Sequence, residues 1–93
     1  MRHIRKKIRK RIGKKNIFKK HLINSFMNKL DIKLSNENYR HLINQIHKQT
    51  AVFIERGKGP RTIWNVELYN KVYRVIYDKT HQTIVTVIRE VEP

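Results

Sequence analysis

Apolar residues recur at helical spacing as far as Ile46 and then, after Thr50, give way to runs of β-branched and aromatic residues, so a helical part must precede a sheet. In the first part Phe18, Leu22, Ile23, Phe26, Met27 and Leu30 share one helical side, with Lys19, Lys20, Asn24, Asn28 and Lys29 on the other. A second helix is predicted after Ser35, whose hydroxyl is placed to cap it, with Glu37 in the first turn and Tyr39, Leu42, Ile43 and Ile46 as its apolar stripe. The link from Asp31 to Leu34 is short, which makes the two helices neighbours.

Four strands are predicted over Ala51 to Arg56, Arg61 to Tyr69, Val72 to Asp78 and Thr83 to Arg89. The breaks between them, Gly57-Lys58-Gly59-Pro60, Tyr69-Asn70-Lys71 and Lys79-Thr80-His81-Gln82, are too short for parallel crossovers and favour an antiparallel meander. The expected fold is α+β, two N-terminal helices packed on a four-stranded antiparallel sheet, preceded by a basic arm. With 93 residues and 39% apolar composition the chain suits one domain with one modest core: residues 1–16 as arm or helix and residues 17–93 as the α+β domain. Trp64, Val66 and Leu68 define the core face of the second strand. Val72, Arg74 and Ile76 oppose Tyr73, Val75 and Tyr77, and simple alternation sets Ile84, Thr86 and Ile88 against Val85 and Val87. A concave face holding Arg74, Thr86 and tyrosines would suit a polynucleotide.

Charge is placed unevenly along this scaffold. Of 22 Lys and Arg, 11 fall within residues 1–20, and no Asp or Glu occurs before Asp31. A net charge of +15 attracts polyanions through phosphate neutralisation and counterion release, which makes nucleic acid, RNA more than DNA, the expected partner. The contacts are expected from Arg5, Lys6, Lys7, Arg9, Lys10, Arg11, Lys14 and Lys15 of the arm, with Lys19, Lys20 and Arg74 from the body. Ile4, Ile8 and Ile12 give the arm a thin stripe that fits either a narrow basic helix or a segment ordered by phosphate.

Several chemistries are poorly served. Zero cysteines exclude disulfides, thiol nucleophiles and Cys-based metal sites, and they fit a reducing cytoplasm. No run approaches the roughly 20 apolar residues of a membrane span, and no signal peptide is expected. The seven carboxylates are scattered, the five histidines include no pair four residues apart, and the Gly57 to Arg61 segment lacks the Lys-Ser/Thr element of a phosphate loop, so neither metal nor cofactor is expected. Metal-independent RNA cleavage remains open, because His, Lys, Arg and Tyr can take the 2'-hydroxyl proton, stabilise the phosphorane and protonate the leaving oxygen. His21 on the first helix is a candidate proton carrier, Arg61 and Arg74 are candidate phosphate clamps, Tyr73 or Tyr77 is a candidate stacking group or acid, and Thr86 is a further candidate.

The run from Tyr73 through Asp78 and Thr83 to Ile88 resembles the closing hairpin of the small ribonuclease-like toxin domains of the barnase, colicin-type and RelE-like group, in which two helices precede an antiparallel sheet. The likeness covers about residues 18–90. It implies a His on the first helix, an Arg entering the sheet and a Thr in the last strand near the active face, here His21, Arg61 and Thr86. The paired His and Glu of barnase are missing. Such a toxin-like endoribonuclease would be restrained by an acidic antitoxin or immunity protein. The alternative is a non-catalytic nucleic-acid or nucleoprotein binder, such as a phage or mobile-element inhibitor docking on a host complex.

Overall fold

A computed structural model describes residues 17–92; the predicted arm, including Arg5, Lys6, Lys7, Arg9, Lys10, Arg11, Lys14 and Lys15, lies outside the described residues. Helix α1, residues 17–30, buries Leu22, Ser25 and Phe26 and exposes Lys20, His21, Asn24 and Asn28. It stops at Asp31, which takes a left-handed φ of 56° and donates its amide to the Met27 carbonyl at 3.0 Å. Asp tolerates that conformation better than most residues, so it can serve where Gly commonly closes a helix. Helix α2, Asn36–His47, begins as predicted: Ser35 is its N-cap and its Oγ accepts the Asn38 amide at 3.1 Å.

The strands are β1 (Val52–Arg56), β2 (Arg61–Leu68), β3 (Lys71–Asp78) and β4 (Thr83–Val91), hydrogen-bonded antiparallel in the order β1-β2-β3-β4. The expected α+β meander is the observed fold. Leu22 and Phe26 of α1 and Leu42 and Ile46 of α2 pack on Val66, Tyr73, Val75, Ile84 and Val87, and the Phe26 and Tyr73 rings meet edge-on at 5.5 Å. Burying each such large side chain contributes on the order of 1.5–3 kcal/mol. One sheet face thus carries the helices, and the other is open. No described helix is long and apolar enough to cross a membrane.

Two bulges re-aim β4. Val75 pairs with Val87 while Arg74 pairs with Arg89, and Ile76 pairs with Thr86 while Tyr77 pairs with Ile84, which leaves Ile88 and Val85 as extra residues. Simple alternation placed Ile84 and Thr86 on one side; the bulge at Val85 breaks it. Ile84 and Val87 both enter the core, and Thr86 lies opposite Ile76 on the open face. A third irregularity, at Ile54, kinks β1.

The two borders of the sheet differ. On β4 the Val87 amide donates to Ser25 Oγ at 3.2 Å and the Val87 carbonyl accepts Lys29 Nζ at 2.8 Å, so α1 covers that edge. At the other border β1 is only five residues long, and its Phe53 remains 49% exposed. The β2–β3 turn uses Tyr69 and Asn70 at φ 53° and 63°, the doubly left-handed geometry that matches strand twist in a two-residue hairpin.

Candidate nucleic-acid interface

The candidate residues separate into three groups. His21 and Lys20 are exposed on α1, and Lys19 places its Nζ 5.3 Å from the centre of the Tyr39 ring on α2. That contact draws positive charge to the seam between the helices.

Arg74 and Thr86 form the second group, on the open face. The Arg74 Nε donates to Asn65 Oδ1 at 3.1 Å, across the β2–β3 pair, and Thr86 Oγ1 makes a long bond of 3.4 Å to the Val87 carbonyl. Tyr77 does not join them. Its register opposite Thr62 and Ile84 turns it to the helix side with Tyr73, so the expected single face of Arg74, Thr86 and tyrosines is split by the sheet itself. At the Tyr69–Asn70 end of the sheet a cavity of about 530 Å³ is lined by Gln45 of α2 with Val52, Asn65, Glu67, Val72 and Glu90.

The third group gathers at the β3–β4 turn. Tyr77 Oη lies 2.8 Å from His47 Nε2, at the last turn of α2, with the rings edge-on at 5.8 Å. Burial raises the Tyr77 phenol above its ordinary value, and the nearby Asp78 charge and Tyr39 add to the shift. The phenol is therefore neutral at physiological pH and hydrogen-bonded to the imidazole. His47, Tyr77, Lys79 and Gln82 line a cleft of about 310 Å³.

Beside it, the Asp78 carboxylate is nearly buried. Its Oδ1 accepts the His81 amide at 3.0 Å and stands 3.3 Å from His81 Nδ1, and Oδ2 stands 3.9 Å from Arg61 Nε. Burial alone would raise its pKa, but the hydrogen bonds and charge of His81, with the Thr80 amide, outweigh that and lower it. The His81 ring also meets Phe18 edge-on at 5.0 Å, which ties the turn to α1. Arg61, with 44% of its side chain exposed, thus has one carboxylate partner and open solvent for a second anion.

Residue type alone singles out Arg61 and Tyr77 as candidates but not His47 as the neighbour of Tyr77 or Asp78 and His81 as those of Arg61. His47 is separated from Tyr77 by 30 residues, and nothing in local spacing announces the pairing. The signal that did exist was Asp78 followed by His81, an acid and an imidazole across a tight turn. His21 has no role in this group. No cluster of three or more His, Asp or Glu capable of holding a metal occurs among the described residues. Comparison with protein-family models, curated proteins and solved structures found no match.

Proposed function

We propose that this protein binds nucleic acid, RNA in preference to DNA, in the cytoplasm and without a cofactor. The observation that carries the reading is the charge distribution: nine of the first 16 residues are Lys or Arg with no carboxylate among them. Within the fold, the Lys and Arg ion pairs among the described residues are Arg61 with Asp78 and Lys71 with Glu90, so most of the body's positive charge is not offset by close carboxylates. The arm supplies phosphate contacts, together with Lys19, Lys20 and Arg74. Such contacts position a strand without reading its sequence.

Fluorescence anisotropy with a labelled single-stranded RNA, titrated with salt, tests it. If about six phosphates are engaged, affinity falls about 300-fold between 50 and 200 mM salt. Removing residues 1–15 weakens binding and flattens that slope. An affinity indifferent to salt would overturn the reading, and it would favour docking on an acidic protein or host nucleoprotein.

A second reading, metal-independent RNA cleavage, is favoured by one arrangement: the Tyr77–His47 pair in a cleft also lined by Lys79. A neutral phenol and an imidazole can exchange protons with a 2'-hydroxyl and a leaving oxygen, while Lys79 stabilises phosphorane charge and Arg61, paired with Asp78, is left on the other face. This moves the proton-transfer role from His21 to His47 and leaves Thr86 on the far side of the sheet. The element order is the one that the resemblance to ribonuclease-like toxin domains implies, and a shared order of elements transmits no activity. An acidic antitoxin or immunity protein belongs to this second reading.

A further inference from the structure

The border strand β1 carries an aromatic surface that the core does not use. Phe53 lies directly opposite Trp64, their ring centres 5.3 Å apart at 79°, yet Phe53 keeps 49% of its surface exposed. Trp64 packs against the core while its Nε1 donates to Thr62 Oγ1 at 2.8 Å, which fixes the indole and satisfies its polar atom. The pair therefore presents a fixed, apolar, aromatic surface at the border of the helix-bearing face.

Cationic side chains share the face of that surface. Arg56 stands opposite Thr62, and Thr62 stands opposite Tyr77, whose cleft is rimmed by His47 and Lys79. Glu55 and Glu67 pair with Ile63 and Val72 on the opposite face. A half-exposed ring braced by an indole and flanked by cations, with Glu55 and Glu67 on the other face, is what an unpaired base and its phosphates require.

We propose that Phe53 and Trp64 form a stacking platform for an unpaired base of a single-stranded nucleic acid, with Arg56 and Lys79 holding the flanking phosphates. The proposal rests on the nucleic-acid reading and deepens it. The arm supplies sequence-blind attraction to any polyanion, and the platform adds preference for unpaired strands, because bases stacked within a duplex expose no face to Phe53.

Trp64 is the only tryptophan of the chain, so its emission reports the site directly. The full chain is titrated with oligo(U), oligo(dT) and a blunt duplex of equal length, alongside Phe53→Ala and Phe53→Leu; circular dichroism establishes that each variant is folded. Both single strands are expected to quench Trp64 emission, and the duplex to leave it near its free value. Phe53→Ala and Phe53→Leu should each lower single-strand affinity about tenfold at an unchanged salt slope, with duplex affinity altered less than twofold. Full affinity in Phe53→Leu, equal loss for single strand and duplex, or binding with undisturbed emission would each overturn the platform while the nucleic-acid reading stands. A parent that binds no oligonucleotide at low salt would overturn both.

Discussion

Ser25 closes the sheet by accepting the Val87 amide at 3.2 Å, while its own hydroxyl donates to the Leu22 carbonyl at 3.0 Å one turn back along α1. Both ends of that relay are buried. Ser25→Ala would leave the Val87 N–H without a partner in a place water reaches poorly, at a cost of about 1–3 kcal/mol. For a domain of this size the midpoint of thermal unfolding should fall by roughly 4–8 °C for each kcal/mol lost. Lys29→Met should cost less, because Lys29 is exposed at its side of the contact.

Asp78 gives the fold a pH signature. Its folded pKa lies below its ordinary value, so the carboxylate stabilises the native state fully above the unfolded carboxylate range, about pH 4, and loses that contribution as pH falls through the lowered folded value. Asp78→Asn should therefore be destabilised at pH 7 by about 1.5–3 kcal/mol, the worth of a hydrogen bond to a charged group. Urea unfolding measured from pH 7 down to pH 2 should show the gap between parent and variant narrowing only in the acid range. A constant gap would assign the loss to packing instead of charge.

The β2–β3 turn should respond to backbone preference alone. Asn70 at φ 63° already has a tolerant residue, so Asn70→Gly is expected to stabilise by about 0.5 kcal/mol or less, whereas Asn70→Val should destabilise by about 1–2 kcal/mol. Chemical denaturation reads both. Tyr69, at φ 53°, is held in place by more than the turn, since its Oη accepts from Asn38 Nδ2 at 2.6 Å. Tyr69→Phe keeps the ring and removes that tie to α2.

If the second functional reading holds, Tyr77→Phe and His47→Ala should each abolish RNA cleavage in excess EDTA by at least about 100-fold while leaving RNA affinity within twofold. His21→Ala should leave cleavage unchanged. Parent and variants that bind alike and never cleave would leave only a docking protein. Loss in His21→Ala alone would return the site to the exposed face of α1.

Most of the architecture is legible in the residues themselves. Ser35 announced the start of α2, the change of period after Thr50 announced the sheet, and Trp64, Val66 and Leu68 declared the core side of β2. The bulge at Val85 had no such marker: an inserted β-branched residue looks like its neighbours in sequence, yet it sends Thr86 to the open face and Val87 into the core. The same limit hid the His47–Tyr77 pair, because its geometry depends on where the end of α2 settles over β3. Residue type suggested Arg61 and Tyr77, while only strand register could say that Tyr77 and Thr86 never face the same solvent.

The irregularity at Ile54 has a further consequence. An incoming strand seeking to lengthen the sheet along β1 would meet a ladder broken at mid-length, on a segment of only five residues, while the opposite margin is already occupied by Ser25 and Lys29. Neither margin offers an uninterrupted main-chain template, so a visitor at the Phe53 border is greeted by rings and cations rather than by a row of open amides, and side-chain chemistry decides whom the sheet admits.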